Sequence, residues 1–435
     1  MKNRILLMIL CFPLFAMAQA PHVLTSEEAV RIALENNLDI KIVQADQQIA
    51  EINNNWGNAG KWPTIFATLS NTYAVTNLNQ ELSNGSTIKR SGATNNLTGA
   101  NLAANWRIYN GKRIRATKKR FEELEKIGEI DVEQQMQRIS FDVLVSYYNI
   151  VRLNLRLKAV NGIIALSNER FKIAETRFNV GSAAKTDMLQ SNIDLNEQEI
   201  NRTDIYRQIL NFKAILNTLL MRPADFNFEV SDTTFHIPIM SYAGALAKID
   251  SQNLELLRAE RESALLVQDK IVINSQRLPV LTLSSVTSYN RNNASAGLFL
   301  INQTYGPNIG VNLGLPIYNS NIFKTQLRVN DVQQKQQVLQ IELIRTQVKR
   351  NLLIAHQEYS NAIAVAEVES KNVRIAEENN FISTERFKKL QGNTIELRQA
   401  NLSLIDAQDR LINAEFRVKI AAITIQLIIG EVGSD

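Results

Sequence analysis

Two periods alternate along this chain. In residues 305–317 the odd positions carry Tyr305, Ile309, Val311, Leu313, Leu315 and Ile317, while Gly306, Asn308, Gly310, Asn312 and Gly314 fill even ones. Residues 99–108 behave alike, with Ala100, Leu102, Ala104, Trp106 and Ile108 on one face and Gly99, Asn101, Asn105 and Arg107 on the other. Alternation of period two with one apolar side reads as β-strand. The stretches before them alternate less cleanly, with Ile65, Leu69 and Tyr73, then Leu281, Leu283 and Tyr289, on one face. The pattern predicts two strand pairs, 63–75 with 97–109 and 279–290 with 305–317, joined by loops at about 77–96 and 291–304.

The rest reads as helix. No proline falls between 64 and 222 or after 316, and a proline-free tract permits a long helix because no backbone donor is lost. From Asn110 to about Val180, and from Asn319 to about Leu390, the pattern predicts helices of about 70 residues, roughly 105 Å each. Asn110 and Asn319 are expected as N-caps, and Thr25 with Glu28 as a capping box. Leu397, Leu404, Leu411, Val418 and Ile425 then recur at heptad spacing, and Met188, Leu195, Ile209 and Leu216 do so in the first half, with Arg202 as the exception. Sustained heptads mean coiled-coil packing. Each long helix must reverse before its heptad segment, and Gly181 and Gly392 stand there, glycine reaching left-handed conformations freely.

These elements occur twice. At one offset Ala29 falls on Ala245, Asn37 on Asn253, Pro63 on Pro279 and Tyr73 on Tyr289; at a slightly shorter one Tyr109 falls on Tyr318, Arg177-Phe178 on Arg386-Phe387 and Asp187 on Glu396. The expected organisation is a signal peptide at 1–18, a first repeat at 19–221 with its hairpin turning near 181, a connector at 222–241, and a second repeat at 242–435 turning near 392. The signal reading rests on Lys2 and Arg4 before an apolar run and on Ala16-Met17-Ala18; Cys11, the single cysteine, lies within it.

The alternating strands fit either a half-wet hairpin on a soluble core or a membrane barrel, and two features favour the barrel. Its second face is Gly and Asn, too small to fill a core. All three tryptophans, Trp56, Trp62 and Trp106, flank the strands, as do Tyr109 and Tyr318, matching residues at lipid interfaces. Four strands cannot close alone, since about eight is the smallest barrel, so other copies must complete it. The fold class expected is mainly α with a small β-barrel part: very long antiparallel helical hairpins in coiled-coil packing, plus four membrane strands per chain.

The chain resembles the TolC family of outer-membrane efflux ducts, through "EEAVRIALENNLDI" at 27–40, "RFNVGSAAKTDMLQS" at 177–191, "GNTIELRQANLSLIDAQ" at 392–408 and the strand pairs. The resemblance implies a homotrimer with a 12-stranded barrel in the outer membrane of a Gram-negative bacterium, a helical tunnel extending into the periplasm, and contact with outer-membrane lipid. It also implies a periplasmic membrane-fusion adaptor and an inner-membrane pump of RND or ABC type as partners. Carried over by position, Asp187 falls on a tip acid that helps hold the closed state, Glu396 on the first constriction acid, and Gln399 in place of a second. The tip surface that meets an adaptor would include Arg177, Val180, Gly181, Thr186, Arg386, Gly392 and Thr394, and the membrane interface Trp62, Trp106, Tyr109 and Tyr318. A tip arginine of the family is missing near Thr394, leaving Arg386 or Arg398 to substitute.

Charge adds little here. The net value of +5 with interspersed signs gives no argument for nucleic acid. His22, His236 and His356 stand alone, and "GNAGKW" at 57–62 lacks phosphate-loop spacing, so no enzyme, cofactor or metal site is expected. A transport duct of the efflux or type I secretion kind is the functional expectation. A soluble periplasmic coiled-coil adaptor or scaffold is the alternative, disfavoured by the apolar strand faces.

Overall fold

The computed structural model describes residues 22–236, 238–389 and 391–432; the expected signal segment at 1–18, with Cys11, lies outside the described residues. In chain order the elements are β1 (His22–Leu24), α1 (Ser26–Asn36), α2 (Leu38–Asn53), β2 (Thr64–Glu81), β3 (Thr87–Tyr109), α3 (Arg113–Asn179), α4 (Lys185–Leu219), β4 (Phe228–Val230), α5 (Tyr242–Gln252), α6 (Leu254–Ser275), β5 (Val280–Ala294), β6 (Ile301–Gly314), α7 (Ile322–Lys388) and α8 (Thr394–Ile429). They form two compact units that each draw on both halves of the chain: a helical unit of Met1–Leu38, Met136–Ile249 and Arg350–Asp435, and a sheet unit of Asp39–Gln135 and Asp250–Lys349.

In the sheet unit the four strands pair antiparallel in the order β2-β3-β5-β6, so β2 and β6 are open edges. Residues paired across a ladder share a face. Ile65 pairs with Ala104, which pairs with Ser285, which pairs with Ile309; Leu69, Ala100, Tyr289 and Tyr305 form a parallel row. The apolar positions of all four strands are thus gathered on one face, and that face is bare, with Leu69 85% and Ile309 72% exposed. The opposite face carries Ser70, Gly99 and Asn290 in one row and Ser284 and Gly310 in another.

Both hairpins are longer than the sequence pattern predicts. Most of 77–96 is ladder, with a turn at 82–86 in which Gly85 takes φ +81°, and the second loop shrinks to 295–300. The reason is that Asn, Thr and Ser occupy both faces there, so backbone pairing continues after the hydrophobic alternation has ended. Conversely β6 stops at Gly314 rather than 317, since Pro316 has no donor for a ladder.

Each strand-to-helix passage needs two left-handed residues, Gly111-Lys112 before α3 and Ser320-Asn321 before α7. The helices therefore begin at Arg113 and Ile322, three residues beyond the caps expected at Asn110 and Asn319. Asn110 still accepts from Ile114 N through its side chain, at 3.3 Å. A Cβ on Gly111 would come within 2.7 Å of Leu278 Cβ and 2.9 Å of Ser275 O, so only glycine fits. Ion pairs tie α6 to both long helices: Arg120–Asp269 (2.8 Å) and Arg258–Asp131 (2.6 Å) to α3, and Lys270–Asp331 (2.7 Å) to α7.

In the helical unit Thr25 caps α1, its hydroxyl accepting from Glu28 N at 3.1 Å. Asn37 is a buried break between α1 and α2; in the sheet unit its counterpart Asn253, also buried, breaks α5 from α6 and caps α6 with its side chain. Ile163 of α3, Ala376 of α7 and Leu404 and Ala407 of α8 share one core cluster. The heptad residues Leu397, Leu404, Val418 and Ile425 are buried, as are Ile209 and Leu216. β1 and β4 pair in parallel, a two-stranded sheet that the connector's sequence did not reveal, because three-residue strands carry no measurable period. Tyr147, fully buried, donates to Leu24 O at 3.1 Å and fixes β1 against α3; burial pushes its phenol well above the ordinary value.

Candidate functional site

The two helix reversals in the helical unit are built differently. After α3, Gly181 adopts φ +75° with open space around it, and Ser182 N donates to Arg177 O at 2.8 Å to close the turn. Gly392 is not left-handed, which corrects the expectation for it. It is glycine because a Cβ there would lie 3.3 Å from Phe387 N and 3.4 Å from Arg386 Cβ, so its role is close approach to the end of α7. Asn393 then caps α8, its side chain accepting from Glu396 N at 2.7 Å.

Arginines hold these turns together. Arg177 stacks on the Phe387 ring, 4.1 Å from its centroid, and donates to Phe387 O, joining the first hairpin to the second. Arg386 pairs with Glu396 at 3.0 Å across its own turn and reaches Gln391 O at 3.4 Å. Lys388 pairs with Glu169 of α3 at 2.9 Å, which holds its ammonium above the ordinary range.

Behind them lies a charge cluster with no hydrophobic signature. Asp194 of α4 pairs with Arg170 of α3 and, at 3.3 Å, with Arg398 of α8, and it accepts from Gln190 at 2.8 Å. Arg170 is 3% exposed and its Nε has no partner. Sequence reasoning passed over Arg170 and Asp194, although each lies one heptad from a residue it named, Arg177 and Asp187. The buried stripe of α4 near the turn is Ser191, Asp194 and Gln198, so a scan for apolar heptads is blind to it.

Of the expected constriction residues, Glu396 is half-buried and occupied by Arg386, Gln399 is exposed, and Asp187 is half-buried in the first turn of α4 with no side-chain partner. Thr186 and Val180 are exposed; Thr394 opens α8 and is half-buried. Within this chain Asp187 and Glu396 meet no common partner, and of the two substitutes considered for the missing arginine, Arg386 goes to Glu396 and Arg398 to Asp194.

In the sheet unit, Trp106 and Tyr109 sit on the apolar face, paired with Leu283 and Leu281. Trp106 Nε1 donates to Lys61 O at 2.9 Å, and the Lys61 ammonium lies 4.5 Å from the Trp56 ring and 5.2 Å from that of Trp62. Trp62 and Tyr318 are largely exposed, at 59% and 77%. Among the described residues no helix is long and apolar enough to cross a membrane, and no group of three His, Cys, Asp or Glu could hold a metal ion.

Residues 29–220 match the family model described as Outer membrane efflux protein. No curated protein matches the chain in sequence. Among solved structures it is similar to the outer-membrane channel OprN (TM-score 0.77, 15% identity, covering 94% of this chain and 91% of that one). VceC, an outer membrane protein of Vibrio cholerae, gives a TM-score of 0.73 at 17% identity over 93% of this chain and 96% of that one. The MtrE outer membrane channel of Neisseria gonorrhoeae, in its open state, gives 0.70 at 15% identity over 94% and 89%. The fold is thus the one these outer-membrane channels share.

Proposed function

We propose that the protein is a trimeric channel-tunnel of the outer membrane, a reading supported by the match of residues 29–220 to the Outer membrane efflux protein family model. It would be a passive exit duct that takes cargo from a periplasmic adaptor and an inner-membrane pump. The observation that carries this reading is the bare apolar face shared by four strands whose edges, β2 and β6, are open. In water such a face is a liability, and in lipid open edges leave backbone groups unpaired at several kcal/mol each. Edge pairing between copies, with the apolar face toward lipid, removes both penalties. The small polar residues of the other face leave room for a pore.

The helix reversals would form the periplasmic gate and the surface an adaptor meets. Three copies of Glu396 around an axis would draw cations, as rings of carboxylates do. The Arg386 partner supports a refinement: paired within each chain, the ring is partly neutralised. Conductance in planar bilayers tests both steps. Glu396→Gln should lower the cation preference and Arg386→Gln should raise it, by freeing the acid. Equal ion selectivity in all three proteins would exclude Glu396 from the constriction. Failure of the wild-type protein to form any conducting species would overturn the duct itself.

A further inference from the structure

The sheet unit concentrates positive charge at one end. Glu81 is the only acid in residues 52–121, and residues 270–330 contain none. Some bases at this end find carboxylates just outside these segments, Lys118 on Glu122 and Arg120 on Asp269. Six exposed ones have no carboxylate partner among the described residues: Lys61, Lys112, Arg113, Arg115, Lys119 and Arg277. The fold brings them together. The packing of Gly111 on Ser275 and Leu278 sets Lys112 and Arg113 beside the segment carrying Arg277, and the Trp106 bond to Lys61 O sets Lys61 at the foot of β3. The first turn of α3 holds no acid, and bases there oppose the helix dipole at roughly a few tenths of a kcal/mol each. An external anion would offset that cost.

We propose that this collar binds the phosphate headgroups of anionic phospholipid at the edge of the bilayer. The anion is assigned to a lipid because the same end of the sheet ends its apolar face in Trp106 and Tyr109, with Trp62 exposed nearby. Indoles and phenols favour the headgroup layer, and Lys and Arg beside them extend toward it while their stems stay on apolar surface. A soluble polyanion would need the bases but not the aromatic border. The inference rests on the reading that the apolar face meets lipid.

All three tryptophans lie at this end of the sheet, so their fluorescence reports on it directly. The full-length protein is reconstituted in vesicles containing brominated phosphatidylglycerol or brominated phosphatidylcholine, and the relative association of the two lipids is read from quenching. Each base beside an anionic surface shifts binding by roughly fivefold, so preference for phosphatidylglycerol should be marked and should fall toward parity in Lys112→Gln/Arg113→Gln/Arg115→Gln. Should that variant fail to fold, raising salt on the wild-type protein reads the same term, since screening weakens exposed charge pairs. Equal quenching by both lipids, or a preference untouched by salt and by the substitutions, overturns the headgroup site while leaving the duct intact. Absence of quenching by either lipid overturns both, because the sheet would then not meet acyl chains.

Discussion

Asp194 and the two guanidinia around it show what one residue near the helix reversals decides. Asp194 is 8% exposed and Arg170 3% exposed, so removing the carboxylate strands a buried cation. Breaking a buried pair in this way costs about 3–5 kcal/mol, and Asp194→Asn should lower the thermal midpoint in detergent accordingly. Arg398→Gln removes the more exposed partner and should cost under about 1 kcal/mol. Equal losses in the two variants would mean that burial of Arg170 is not what makes the cluster matter. Glu415 offers the opposite sign. Burial raises its carboxyl above the ordinary value, so the folded chain holds that proton more tightly than the unfolded chain does. Its contribution to stability is present at low pH and lost as pH rises through the folded value. Glu415→Gln should therefore stabilise at pH 7 and leave a smaller difference from wild type at pH 5. Thermal midpoints at the two values check it; a variant less stable at pH 7 would show that the ionised acid has a favourable partner.

At the scale of elements, glycine marks the passages, for two distinct reasons. Gly181 is left-handed in open space, so Gly181→Ala should cost about 1–2 kcal/mol, the penalty of that conformation alone. Gly111 is left-handed and also pressed against Leu278 and Ser275 O, so Gly111→Ala should cost more and disturb the seating of α6 on the foot of β3. Midpoints for the pair of variants give the comparison; equal losses would mean the contact at Leu278 yields freely. Position alone made Gly181 legible in sequence as a turn, whereas Gly111 fell inside the helix expected to follow an N-cap at Asn110 and was not. Gly392 read as a left-handed turn and is instead a close approach, a distinction that depends on where Phe387 lies. The long helices and the apolar strand face were legible because their periods run over many residues. The far ends of the hairpins, the pairing of β1 with β4 and the Arg170–Asp194 contact were not, because each rests on polar or very short segments where partners, not patterns, fix the structure.

For the whole molecule the question is what completes the sheet. The order β2-β3-β5-β6 is antiparallel throughout, so β2 and β6 run in opposite directions and β6 of one copy can pair antiparallel with β2 of the next without reversing the chain. Such a heterologous contact would close into a ring if its rotation closes and would run on as an open assembly if it does not. The apolar rows then run on around that ring, because Leu69 on β2 and Tyr305 on β6 belong to the same face. The chain is well suited to a direct test, since its single cysteine is Cys11, within the expected signal segment. A cysteine placed at Ser70 on β2, combined in turn with one at Asn308, Gly310 or Asn312 on β6, puts both thiols on the polar face, and one register should bring them within disulfide reach. Oxidation of that variant in membranes is expected to give a ladder on non-reducing gels that ends at three chains. A ladder ending at another number would change the strand count of the barrel. No intermolecular bond at any register would leave the edges open, and the apolar face would then need a different explanation from a closed barrel in lipid.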